Sequence, residues 1–178
     1  NNVLEPIFEK RFIFHSYACR KNKGMHAASD TLKSWLYEWQ RFHPDMPLYA
    51  IKADIHHYFQ SINHNLLKAE IRKVIKDAGA LALIDKIIEH NGQMPDGTGI
   101  PVGNLTSQLF ANIYLDKLDK YIKHTLGAEK YERYMDDFIA LSPDKDELRR
   151  WLADIERFLR EELILELNPK TAILCAKN

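Results

Sequence analysis

Apolar residues recur every three to four positions through most of the chain, and this helical rhythm gives way to short β-like runs at only a few places. Leu32, Trp35, Leu36 and Trp39 predict a helix that Ser29 or Asp30 could cap and that ends before Pro44 and Pro47, with both tryptophans in the core. Leu48 to Ile55 reads as a buried strand, followed by His56-His57-Tyr58-Phe59 and a helix starting from Asn63. Leu66, Leu67, Ile71, Val74 and Ile75, then Leu81, Leu83, Ile84, Ile87 and Ile88, mark two amphipathic helices broken near Gly79. A loop from Gly92 to Gly103 leads into a strong stripe of Leu105, Leu109, Phe110, Ile113, Tyr114, Leu118, Tyr121 and Ile122. Two aromatic and β-branched runs between Lys130 and Leu141 predict a hairpin ended by Pro143 and Asp144. Trp151, Leu152, Ile155, Phe158, Leu159 and Leu163 give a last helix, and Ile164-Leu165-Glu166-Leu167 a last strand.

The elements from Leu48 onward run strand, helices, hairpin, helix, strand, which is the split β-α-β-β-α-β pattern of ferredoxin-like α+β folds. With 178 residues, 46% of them hydrophobic, the chain can bury a real core as one domain or two intimate subdomains. Lys+Arg and Asp+Glu both number 25, so net charge makes no case for a nucleic-acid partner. Distribution does: Lys10, Arg11, Arg20, Lys21, Lys23 and Lys33 crowd the front, while the C-terminal helix is acidic. Cys19 and Cys175 are far apart and have no zinc-type spacing, and no apolar run is long enough to span a bilayer, so a reducing cytoplasm is expected.

Tyr134-Met135-Asp136-Asp137 puts two carboxylates at the predicted hairpin tip, where a turn lets adjacent acids face one site. Asp54, at the end of the Leu48 strand, is a third. Such oxygen ligands suit Mg²⁺, which keeps its waters and takes one or two carboxylates plus substrate phosphate. Two such ions about 3.5–4 Å apart stabilise both oxygens of an in-line phosphoryl displacement. His56 and His57 are set aside as metal ligands, because neighbours on a strand end point apart and a hard-ion site has no need of imidazole. Gly99-Ile100-Pro101-Val102-Gly103 offers small residues and backbone amides just before a long helix, where a nucleotide could approach closely.

Asp54 with Phe59, Gly103 through Gln108, and Tyr134-Met135-Asp136-Asp137 resemble, in order, the palm motifs of reverse transcriptases. The resemblance implies a polymerase palm over residues 48–178, with a fingers-like helical insert at about 80–98, and a mostly helical fingers portion over 1–47. It implies catalytic roles for Asp54, Asp136, Asp137 and Lys170, the last as an acid for the leaving pyrophosphate. Two Mg²⁺, for which Mn²⁺ substitutes, would be held by Asp54, Ile55, Asp136 and Asp137. Arg20, Lys23, Tyr58, Phe59, Val102 and Gly103 would face the deoxynucleotide, Phe59 as the steric gate against a 2′-hydroxyl. Asn104, Ser107, Gln108, Tyr134 and Met135 would face an RNA template and a DNA or RNA primer. Val102 and Gln108 stand where most such enzymes carry Gln and Pro, a departure that resembles the error-prone enzymes of diversity-generating retroelements and implies lower fidelity. An accessory protein is implied by that resemblance alone. Family members continue into a helical thumb that is expected to be absent here, so weak primer-template binding and little processive synthesis are expected. Two rivals stay open: a polymerase-like module that binds nucleic acid or assembles without catalysis, and another palm enzyme such as a nucleotide cyclase.

Overall fold

In the computed structural model, which describes residues 3–90 and 97–176, the strands are β1 (Tyr49–Ala53), β2 (Lys130–Tyr134), β3 (Asp137–Ser142) and β4 (Ala172–Cys175). They form one sheet in the order β2-β3-β1-β4 with every neighbouring pair antiparallel. That order is what a split β-α-β-β-α-β chain makes when its helices cover one face, so the α+β architecture read from the periodicity is the observed one.

Two-residue alternation decides which side chains meet the helices. Ile51 pairs with Ala140, Ala53 with Phe138, and across the hairpin Tyr131 pairs with Ala140 and Arg133 with Phe138, so these six share a face. Over it lie α6 (Leu105–Lys120) and α7 (Lys145–Phe158). Helix α6 is buried almost all round, from Leu109 through Leu115, which makes it the central helix rather than an amphipathic one. Helix α7 buries Leu148, Trp151 and Ile155, and its N-terminus is capped by Asp144, whose carboxylate accepts from the amides of Asp146 and Glu147. Each large apolar side chain so buried is worth roughly 1.5–3 kcal/mol. Both helices end in a π turn, Tyr121–Thr125 and Leu159–Leu163.

Around this layer pack α1 (Glu5–Glu9), α2 (Met25–Phe42), α3 (Tyr58–Ser61), α4 (His64–Val74) and α5 (Ala78–His90). Helix α4 begins where the pattern predicts, with the Asn63 side chain accepting from the Leu66 amide at 3.1 Å. Other expectations need correction. Helix α2 starts after Gly24, whose φ of 123° only glycine adopts freely, so Ser29 and Asp30 lie inside it and do not cap it. Trp35 and Trp39 are half-buried, and Trp39 donates to the Met46 carbonyl to hold the turn after α2; Trp151 alone of the three is in the core. The break between α4 and α5 falls before Gly79, which lies within α5. Ile164–Leu167 is not a strand: Leu163 and Leu165 bury themselves against the end of α7, and the last strand is Ala172–Cys175. Leu167 keeps one antiparallel bridge, to Ile55. The part of the expected loop and helical insert over 91–96 lies outside the described residues.

Candidate active site

The two central strands, β1 and β3, bring their acids to one end of the sheet. Ala53 pairs with Phe138, so one step further the same register sets Asp54 across from Asp137. Tyr134 pairs with Asp137, leaving Met135 and Asp136 as a two-residue turn with φ of 56° at Met135. The turn expected from the sequence is therefore formed, with Asp136 in it and Asp137 opening β3.

The carboxylates feel one another. Burial raises the pKa of Asp136 above the ordinary range, and Asp137 and Asp54 push it further. Asp137 is raised by burial and by Asp54, with Lys52 pulling the other way. One oxygen of Asp54, Oδ1, is buried with no hydrogen-bond partner, while Oδ2 takes a long 3.4 Å bond from Asn168 Nδ2. An orphaned buried carboxylate oxygen beside two more acids is the surrounding a divalent cation would satisfy. Among the described residues no three His, Cys, Asp or Glu are drawn together tightly enough to form a ready ligand cage. Ile55 is buried, and since Asn168 N donates to Asp54 O and His56 N to Glu166 O, strand alternation turns the Ile55 carbonyl to the opposite edge, toward the hairpin tip.

Asn168 was not singled out from the sequence, yet its backbone and side chain both bond Asp54, and its Oδ1 accepts from the Lys170 amide. Lys170 stands exposed on this turn, tied through Asn168 to the Asp54 end of the sheet. The signal was the Asn-Pro step itself, since Asn side chains commonly bond the backbone two residues on.

Behind Asp54, His57 takes a left-handed φ of 44° and starts α3. This breaks strand alternation, so His56 and His57 do not point apart as expected; their ring centroids are 4.0 Å from each other. Buried Tyr58 donates to the Ala111 carbonyl at 2.6 Å and fastens α3 to α6, while half-buried Phe59 packs edge-on against it with centroids 5.5 Å apart. The Gly99 loop is stitched to this corner, with Gly99 N donating to Ile62 O, Ile100 N to Phe59 O and His64 Nε2 bonding Gly99 O at 2.7 Å. Val102, Gly103 and Asn104 are exposed a few residues beyond, with φ of 97° at Gly103. Ser107 is the exception: it is 2% exposed on the inward side of α6 and does not face solvent, whereas Gln108 is half-buried and Tyr134 exposed.

Arg20 and Lys23 fold back onto the N-terminal segment. Arg20 forks onto Glu9 at 2.8–3.0 Å and donates through Nη1 to the carbonyls of Ile13 and Ser16. Lys23 donates to the Phe14 carbonyl and lies 3.3 Å over the Phe14 ring. The Arg20 donors are thus spent on scaffolding, because the loop carbonyls and Glu9 already match its planar fork.

On the sheet face opposite α6, Lys52, Glu132, Tyr134, Asp137 and Ile139 line a cleft of about 270 Å³ beside the acids. Glu132 is 6% exposed, Oε2 has no partner, and burial pushes its pKa up to about 7.

Comparison with known proteins bears on the family and the fold. A family model described as reverse transcriptase (RNA-dependent DNA polymerase) matches residues 1–177. The group II intron-encoded protein LtrA of Lactococcus lactis subsp. cremoris is 28% identical over 176 residues, 94% of this chain and 28% of its own length. Protein YkfC of Escherichia coli (strain K12) is 30% identical, over 75% of this chain and 33% of its own length. The chain therefore spans a third or less of these relatives. Among solved structures, apo telomerase from Candida Tropicalis superposes with a TM-score of 0.72 at 15% identity, covering 99% of this chain and 36% of the telomerase chain.

Proposed function

Because the chain belongs to the reverse transcriptase (RNA-dependent DNA polymerase) family, we propose that it is the catalytic core of an RNA-directed DNA polymerase, adding deoxynucleotides to a primer 3′-hydroxyl by phosphoryl transfer. One observation carries this: Asp54, with an unpartnered buried oxygen, lies at the end of β1 level with Asp137, and burial together with the nearby Asp54 carboxylate raises the proton affinity of Asp136 and Asp137. Asp54, Asp136 and Asp137, with the Ile55 carbonyl, would hold two Mg²⁺, for which Mn²⁺ would substitute. Bound ions supply neutralisation of the triphosphate and activation of the primer hydroxyl. The protein's own part is positioning. Phe59, braced on Tyr58, crowds the sugar; Val102, Gly103 and Asn104 face the incoming base and template; Tyr134 and Met135 support the primer end; Lys170 gives a proton to pyrophosphate. Residues 1–47 act as fingers and 48–178 as palm. Lys23 contacts phosphate through a flexible single charge, while Arg20 braces the loop that carries it.

The template is RNA, read by base pairing, and an RNA-bound telomerase from Candida Tropicalis of the same fold supports such a partner. Val102 before Gly103 supports a place among the error-prone, diversity-generating types with their accessory protein, whereas the similarity to LtrA supports a group II intron origin. Misincorporation opposite template adenines separates these, being high for the former and falling in Val102→Gln. No helix among the described residues is long and apolar enough to cross a membrane, and we place the protein in the cytoplasm.

The test is incorporation of labelled deoxynucleotide on an RNA template with an annealed DNA primer, in Mg²⁺ or Mn²⁺, for the chain beside Asp136→Asn. Product that needs template and vanishes in the variant supports the polymerase. Retention of RNA binding with no product from either chain would favour the non-catalytic assembly module instead.

A further inference from the structure

The largest fully buried side chain outside the acids' own cluster is a charged one. Arg133, on β2 immediately before the Tyr134-Met135-Asp136-Asp137 tip, is 0% exposed. Its Nε and Nη2 fork onto Asp119 of α6, both at 2.7 Å, and Asp119 is also fully buried and accepts from the Tyr131 hydroxyl at 2.7 Å. Burial works against the guanidinium's charge, and the Asp119 carboxylate more than restores it. The remaining donors are not spent on neutralising charge. Nη1 donates to the Met135 carbonyl at 2.6 Å and to Asn112 Oδ1 at 3.2 Å, and Nη2 reaches Ser16 Oγ at 3.2 Å. Asn112 in turn donates to the Ala18 carbonyl, and the Arg133 backbone bonds His15 O and Tyr17 N.

The Met135 carbonyl is the informative contact. Met135 holds a φ of 56°, a left-handed conformation that costs a non-glycine residue free energy and persists only where neighbours over-determine it. Its carbonyl belongs to the peptide that leads into Asp136. If that peptide rotated to a relaxed conformation, the Asp136 carboxylate would move from its place near Asp137 and Asp54. A buried ion pair that only stabilised the fold would be complete with Asp119, and such pairs contribute little net stability for their desolvation.

We infer that Arg133 is a positioning residue of the phosphoryl-transfer site, fixing the Met135–Asp136 peptide so that the three carboxylates converge on divalent metal. This rests on the polymerase reading. Ser16 and Asn112, through the same guanidinium, key the tip to the segment at 15–18 and to α6.

The test reads metal affinity and stability separately, on the full chain with a dideoxy-terminated primer on RNA template, the next complementary deoxynucleotide and Mn²⁺, bound Mn²⁺ being followed by electron paramagnetic resonance. Arg133→Lys keeps a cation for Asp119 but cannot fork to both partners, and it should weaken Mn²⁺ binding about tenfold, the low end for a charge-assisted hydrogen bond. Tyr131→Phe removes a bond from the same buried network without touching Met135; it should lower the melting temperature and leave Mn²⁺ affinity unchanged. Equal Mn²⁺ affinity of Arg133→Lys and the parent, or equal losses in both variants, overturns the positioning role. If Arg133→Lys does not fold, Arg133→Met with Asp119→Asn leaves no buried unpaired charge, and the same tenfold loss or its absence decides the matter. Asp136→Asn is the separate control: unchanged Mn²⁺ binding there overturns the metal-site reading itself, and with it this inference.

Discussion

Glu132 should make the protein less stable as pH rises through the neutral range, and Glu132→Gln should remove that loss. The carboxyl is raised from 4.5 to about 7 by burial alone, and Oε2 has no donor to offset it. A folded-state value above the unfolded one means that between about 4.5 and 7 the native protein holds a proton that the unfolded chain has released, so stability falls across that window and stays low above it. At about 1.4 kcal/mol per unit the ceiling is roughly 3 kcal/mol. The side chain opens on a solvent-reachable cleft, so screening reduces this to about 1–2 kcal/mol. His15 complicates a raw pH profile: desolvation first, then Lys123 and Lys23, push it down to about 4, so its contribution rises with pH up to the unfolded value of 6.5. The clean quantity is the difference between Glu132→Gln and the parent, from urea unfolding at pH 5 and pH 8, in which the His15 contribution cancels. The two should be nearly equal at pH 5, and the variant more stable by about 1–2 kcal/mol at pH 8. A difference independent of pH, or a variant less stable at pH 8, would refute the reasoning.

Three further outcomes can be checked on the same chain. Arg20→Ala should cost about 2 kcal/mol or more, because it strands the Ile13 and Ser16 carbonyls as well as Glu9, while Glu9→Ala should cost about 1 kcal/mol or less; loss of deoxynucleotide affinity without loss of stability would return Arg20 to a phosphate-binding role. Phe59→Val should raise ribonucleotide over deoxynucleotide incorporation about tenfold by removing the ring braced on Tyr58, measured as a ratio of kcat/KM values. Gly99→Ala should lower stability by about 1–2 kcal/mol, since φ is 85° and a new Cβ would meet the Gln60 carbonyl at 3.3 Å; the displaced loop should also raise KM for the nucleotide.

Much of the fold was legible because its determinants are periodic or local. The hairpin, the Asn63 cap and the central helix each follow from residues within a few positions of one another, and the order of strands follows from connection rules. What escaped was set by tertiary contact. Ile164-Leu165-Glu166-Leu167 has a strand's composition, but its Leu165 and the preceding Leu163 are buried at the end of the helix that α7 begins, and the chain needs the Asn168–Thr171 turn before pairing with β1 resumes two residues out of step. Trp35 and Trp39 have core spacing, yet spacing cannot say which helix face a neighbour covers. The Arg133–Asp119 pair was passed over because charged residues are presumed exposed. A signal was there. Asp119 falls on the apolar phase of α6, four after Leu115 and three before Ile122, and Arg133 alternates in phase with Tyr131. A charge at an apolar phase asks for a partner at another.

Where the backbone is strained tells the same story from a different side. Of the five non-glycine residues with positive φ among the described residues, three surround the acids: His57 follows Asp54 at a distance of three residues, Met135 precedes Asp136, and Ile164 opens the segment that pairs with Asp54 and Ile55. Each left-handed residue costs roughly 1–2 kcal/mol. Each lies at or beside a carbonyl that accepts hydrogen bonds: the His57 carbonyl takes the Gln60 and Ser61 amides, the Met135 carbonyl takes Arg133, and the carbonyl just before Ile164 takes the Tyr114 hydroxyl at 2.5 Å. A chain selected for stability alone could place glycine at all three. Strained backbone held by hydrogen bonds at three places near Asp54, Asp136 and Asp137 is the arrangement expected if this corner is kept for its geometry rather than for its contribution to folding.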